Sequence, residues 1–141
     1  MDVYEIGFIF RGFTLVNHLF KELPKVENSG TPQDLRGAFI SAISVFVEQA
    51  FMNCTLEYLE LENYLFVFKM TKIKSKDNIK EEPLILYGII DKKRKPDKYV
   101  RNFLEETEPI MLLFKQRYNN KDFTNLEVFT SFKEEIKNFL D

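Results

Sequence analysis

The stretch that decides the fold reads TPQDLRGAFISAISVFVEQAFM, residues 31–52. On a helical wheel Leu35, Ala38, Phe39, Ala42, Ile43, Phe46, Val47 and Ala50 fall on one side at i, i+3, i+4 spacing. Thr31 suits an N-cap, and Pro32 stands at the first helical position, where its missing N–H costs nothing. Asp34 holds the place where a capping box usually carries Glu or Gln. The spacing predicts a helix over 32–52, ended by Asn53. Ile40, Val45 and Phe51 widen its apolar arc, leaving only the narrow strip Gly37, Ser41, Ser44 and Glu48 polar. A helix this apolar is largely buried, so the rest of the chain has to supply its cover.

Upstream, residues 3–10 read as a strand. Tyr4, Ile6, Phe8 and Phe10 form one side; Val3, Gly7 and Ile9 form the other. Two apolar faces mark a central strand covered on both sides. Arg11 and Gly12 turn the chain, and residues 13–20 return with Thr14, Asn17 and His18 suited to a sheet edge. Breakers Pro24, Asn28, Ser29 and Gly30 make 21–30 a loop. Downstream, 55–61 reads as an exposed strand and Glu62-Asn63 as a tight turn. Residues 64–73 form a strand with Phe66, Phe68 and Met70 opposite Leu65 and Val67. Strand 84–90 is apolar on both faces and again central. Asp97 can cap a helix to Tyr118, with a kink or break expected near Thr107 because Pro109 removes a backbone donor. A last helix is expected over 125–140, from Leu126, Phe129, Phe132, Ile136, Phe139 and Leu140.

The order is ββ-α-βββ-α-α. A mainly antiparallel five-stranded sheet with two doubly apolar strands needs helices on both faces. The expected fold is α+β, a three-layer α/β/α sandwich, as one domain over 1–141. The helix 32–52 lies on one face and the two C-terminal helices on the other.

Bulk composition narrows the function classes. Hydrophobic residues are 45% and charged residues 30%, which fits a folded domain rather than a disordered chain. Fifteen Phe and no Trp read first as packing. A net charge of −2 weighs against nucleic acid as partner. No apolar run approaches the ~18 residues that a membrane-spanning helix needs. The N-terminus lacks a basic region followed by an apolar core, so no signal peptide is read there, and a cytoplasmic location is expected.

Element order, and the segments Asp34-Leu35-Arg36-Gly37-Ala38-Phe39-Ile40-Ser41-Ala42-Ile43, Leu59-Glu60-Leu61-Glu62-Asn63-Tyr64 and Leu84-Ile85-Leu86-Tyr87-Gly88-Ile89-Ile90-Asp91, resemble longin domains and their roadblock-like relatives, archaeal single-domain forms included. The resemblance covers residues 4–140. It implies a protein-interaction platform, often dimeric, that binds another longin or roadblock chain or a small GTPase in membrane-traffic or signalling assemblies. It implies no catalytic motif and no cofactor.

Candidate sites carry two readings each. His18 is the single histidine and Cys54 the single cysteine, and neither has the sequence partners that a metal site or a nucleophile needs. His18 is therefore read as structural or exposed, and Cys54 as a small apolar filler. No phosphate-binding or nucleophile-elbow motif occurs, so no enzyme activity, metal or cofactor is expected. The pairs Glu81-Glu82, Glu105-Glu106 and Glu134-Glu135 are read as solvated faces. Gly37, Ile40, Ser41, Ser44 and Val45 are either a partner contact on helix 32–52 or a strip covered by loop 21–30. Lys92, Lys93, Arg94, Lys95 and Lys98 are either a contact for anionic lipid or an acidic partner, or a solvated turn offset by Asp91 and Asp97. From a different class, a small-molecule sensor of PAS or profilin-like layering remains the alternative; it requires a cavity with convergent polar groups.

Overall fold

The computed structural model describes residues 2–22, 58–61 and 63–140. The expected helix 32–52, Cys54, and most of loop 21–30 lie outside the described residues, as does the start of strand 55–61. The described part is α+β. Five strands, β1 (Val3–Phe10), β2 (Phe13–Leu19), β3 (Tyr58–Glu60), β4 (Tyr64–Ile73) and β5 (Glu82–Asp91), precede two helices, α1 (Pro96–Tyr118) and α2 (Phe132–Phe139). They form one sheet of order β2-β1-β5-β4-β3, antiparallel at every pairing.

The two strands read as central, β1 and β5, pair with each other in the middle of the sheet. β2 and β3 take its edges. The β1–β2 connection is two residues, Arg11 and Gly12, both with positive φ (52° and 79°). That is the mirror-image turn whose twist matches a hairpin, and Gly12 adopts it without a Cβ penalty.

One face of the sheet carries Ile6, Phe8 and Phe10 of β1, Leu65 and Val67 of β4, and Leu84, Leu86 and Ile90 of β5, packed against α1 and α2. Its centre is aromatic. Phe8 stacks on Phe114 of α1 at 4.3 Å, and Phe132 of α2 meets Phe114 edge-on at 5.0 Å. Each such pair adds about 0.5–1.5 kcal/mol beyond the area it buries. The second face carries Ile9, Phe66, Phe68, Ile85, Tyr87 and Ile89, all buried. No residue of α1 or α2 belongs to this second cluster.

Several expectations need correction. Tyr4 does not share a side with Ile6 and Phe8; it packs with the second cluster. The cause is a bulge in the β1–β5 register between Val3 and Glu5, which breaks the alternation that strand reading assumes. Pro109 does not divide the helix: α1 runs unbroken through it. The Thr107 hydroxyl donates to the carbonyls of Phe103 (2.9 Å) and Leu104 (3.2 Å), and Lys69 Nζ donates to Leu104 O at 3.0 Å. Side chains thus hold the turn before the proline, while Phe103, Thr107, Ile110, Met111 and Phe114 are buried along it. The helix also starts earlier than expected, with Lys95 at the N-cap, Pro96 in the first turn and Asp97 just inside. The last helix is two pieces, a 3-10 turn Leu126–Phe129 and then α2. Phe129 and Phe132 are both buried in the core, while Leu126 and Leu140 stay exposed.

Candidate functional site

Three groupings of side chains stand out. The first is buried. Glu5 follows the β1 bulge and pairs with Leu19 and Ile89 in register, so its side chain shares the second face. It is fully buried, as is Tyr87 of β5. The Tyr87 hydroxyl donates to the Glu5 carboxylate, and Asn17 Nδ2 of β2 donates to the same oxygen at 3.4 Å. Three neighbouring strands therefore converge on one carboxylate. Gly7 makes room for it: a Cβ there would lie 2.6 Å from the Tyr87 ring and hydroxyl. A buried carboxyl group tolerates this position only because hydrogen-bond partners meet it. The arrangement ties β2, β1 and β5 together.

The second grouping closes one end of the sheet. Arg11, in the hairpin turn, makes a two-pronged contact with Glu82, Nε to Oε2 at 2.7 Å and Nη2 to Oε1 at 2.5 Å. It also reaches Asp77 at 3.1 Å and the Ser75 hydroxyl at 3.2 Å. Donation from the guanidinium, then from the Ser75 hydroxyl, lowers the Asp77 pKa to about 2, and Arg11 lowers that of Glu82 as well. Glu82 is thus not part of a solvated pair with Glu81: it begins β5, is half-buried and is held by Arg11 and by Asn78 Nδ2 at 2.8 Å. At the opposite end, the Tyr4 hydroxyl donates to Asp91 at 2.5 Å, and that bond, followed by burial, raises the Tyr4 pKa to about 12.

The third grouping is the basic turn between β5 and α1. Lys92, Lys93, Arg94, Lys95 and Lys98 are all exposed. Lys92 pairs with Glu60 at 3.5 Å, and Lys93 lies over the Tyr99 ring at 5.3 Å. Arg94, Lys95 and Lys98 make no ion pair among the described residues. Asp97 accepts from the Tyr58 hydroxyl at 2.6 Å and Asp91 from Tyr4, so both acids named as offsets are engaged elsewhere.

The remaining candidates are placed more simply. His18 sits half-buried on edge strand β2, edge-on to Phe20 at 4.6 Å. Gly37, Ile40, Ser41, Ser44 and Val45 lie outside the described residues. Among the described residues, no group of His, Cys, Asp and Glu could hold a metal ion, and no helix is long and apolar enough to cross a membrane. A cleft of about 300 Å3 is lined by Phe10, Arg11, Phe13, Leu15, Phe123, Thr124 and Leu126. Its one charged group, Arg11, is committed to Glu82 and Asp77, so convergent polar groups for a small ligand are missing there.

No protein-family model matches the chain, and neither curated proteins nor solved structures yield a match.

Sequence reasoning passed over Glu5. The signal was an acid inside an otherwise apolar strand, together with Gly7 two residues on. It also passed over Arg11, whose partners lie more than sixty residues away.

Proposed function

We propose that the chain is a non-enzymatic protein-interaction module of longin-like architecture. In this reading helix 32–52 covers the second sheet face, completing an α/β/α sandwich, and presents Gly37, Ile40, Ser41, Ser44 and Val45 outward. The partner is a second copy, another longin or roadblock-like chain, or a small GTPase, in a membrane-traffic or signalling assembly of the cytoplasm.

One observation carries the reading. The sheet is apolar and buried on both faces, yet the described helices pack on one of them only. An apolar helix joining β2 to β3 has one place to go in such a sheet. Its arc is wider than one sheet face needs, and the surplus is a surface for a partner. The order of the described elements agrees with the longin resemblance. The groupings above also favour binding over chemistry: the one fully buried carboxylate among the described residues is closed in by Tyr87 and Asn17.

The test is self-association. Sedimentation equilibrium over a concentration series should show reversible dimerisation, weakened at least tenfold by Ile40→Arg with the circular dichroism unchanged. A chain that stays monomeric at the highest concentration removes the homodimer and leaves only a heterologous partner.

A further inference from the structure

We infer that the end of the sheet formed by the Arg11–Gly12 turn and the β4–β5 loop, residues 74–81, docks onto an anionic lipid surface, with Ile79 and Phe13 inserted between headgroups. The two side chains are the most exposed large apolar groups among the described residues, Ile79 at 92% and Phe13 at 68%. Both sit at tips of the same end. Arg11 joins these tips, because its guanidinium bonds Ser75, Asp77 and Glu82 across the loop. The helix end is stitched to them too: Lys76 N donates to Lys121 O at 2.8 Å, and Asn120 N donates to Lys74 O at 2.6 Å. The tips therefore project from a braced end.

Charge at this end selects the partner. Asp77 and Glu82 share the one guanidinium of Arg11, and the Asp77 side chain remains 53% exposed. The outer rim carries Lys74, Lys76, Lys80 and Lys121 against Glu81 and Asp122. None of those four lysines is ion-paired among the described residues. Each lysine beside an anionic membrane favours binding by about fivefold, and its aliphatic stem lies along apolar surroundings while the ammonium stays at headgroup level. Ile79 projects from its loop and Phe13 from the rim of the cleft that Phe10, Leu15, Phe123 and Leu126 line, and exposed apolar side chains ringed by lysines fit a deformable bilayer interface.

The basic turn Lys92–Lys98 is the competing site, and geometry separates the two. β5 runs from one to the other over ten residues, or roughly 33 Å at ~3.3 Å per residue. One flat membrane does not meet both ends when the strand stands upright on it. The basic turn has no exposed large apolar side chain. This inference uses no residue of the proposed partner contact, so the two stand or fall separately.

The experiment uses the full chain with phosphatidylcholine vesicles, with and without about a third phosphatidylserine. Co-sedimentation is expected with phosphatidylserine only, and Ile79→Asp or Phe13→Asp should lower the partition coefficient about tenfold or more. Both positions are exposed, so thermal melts should be unchanged. The chain has no tryptophan, so Ile79→Trp is a single reporter. Its emission should shift to the blue on adding phosphatidylserine vesicles, while Leu112→Trp, on the exposed face of α1, should not. Failure to bind, binding indifferent to phosphatidylserine, binding retained in both Asp variants, or equal shifts from both tryptophans overturns the inference. Binding lost only in Lys95→Glu/Lys98→Glu also overturns it, in favour of the basic turn. Capture of a protein by this end without vesicle binding does so in favour of a protein partner.

Discussion

Gly88→Ala is the sharpest test of how the sheet and α1 fit. Gly88 stands in the middle of β5 on the helix-covered face, and the Phe103 ring of α1 fills the space a side chain would occupy. A Cβ at 88 would lie 2.2 Å from Phe103 Cζ and 2.6 Å from Cε1. Carbon atoms in contact sit ~3.5–4.0 Å apart, so the ring has to retreat by more than about 1 Å. Phe103 is only 1% exposed, so any retreat displaces its neighbours. Overpacking of this kind costs about 1–3 kcal/mol. Replacing glycine also narrows the unfolded ensemble, offsetting about 0.4–1 kcal/mol. The net loss should be about 1–2 kcal/mol, a fall in Tm of about 3–10 °C for a chain of this length. Denaturant and thermal melts measure it. Phe103→Leu, which shortens the opposing side chain, should make Gly88→Ala less costly, so the double variant should be more stable than the sum of the singles by about 1 kcal/mol. A Gly88→Ala protein as stable as the parent, or strict additivity with Phe103→Leu, would falsify the packing described here.

Two further outcomes follow from the polar groups. Tyr87→Phe removes the hydroxyl that meets the buried Glu5 carboxylate and should cost about 1–3 kcal/mol. Tyr118→Phe, which loses a 3.0 Å bond to the Val128 carbonyl, should cost about 0.5–1.5 kcal/mol; a smaller loss for Tyr87 than for Tyr118 contradicts the role given to Glu5. The Arg11 cluster sets an acid response. Asp77 and Glu82 have lowered folded pKa values, so the stability they contribute is present above their ordinary values. It is lost as pH falls, for Asp77 between 3.8 and about 2. Arg11→Gln should flatten the stability profile across that window, and a profile identical to the parent's removes the cluster as the cause.

Much of the sheet was readable because its strands obey period two. Strand β4 places Phe66, Phe68 and Met70 in one cluster and Leu65 and Val67 in the other, as its alternation required. β1 and β5 read as central because both their faces are apolar. Where alternation broke, reading failed. The bulge after Val3 moved Tyr4 to the side opposite Ile6 and Phe8, and no local residue preference announces a bulge at that point. Pro109 misled in the other direction. Its helix-breaking tendency is local, but the packing of Phe103, Met111 and Phe114 and the Thr107 and Lys69 bonds are tertiary, and they prevail. At the sites, long-range pairs were invisible: Arg11 finds Glu82 only because the β1–β2 turn and the start of β5 meet at one sheet end. The basic turn was legible as a run of charge, but the partners of Lys92 and Lys93 were not.

In the proposed function the chain works by binding another protein. Affinity capture from native lysate, with the parent chain and Ile40→Arg immobilised side by side, in GDP and in a non-hydrolysable GTP analogue, addresses it directly. Near-stoichiometric recovery of a small GTPase or of a second sheet-and-helix chain is expected on the parent and is expected to be lost on Ile40→Arg. Recovery of no stoichiometric protein in either nucleotide, from a chain that is also monomeric, would contradict it.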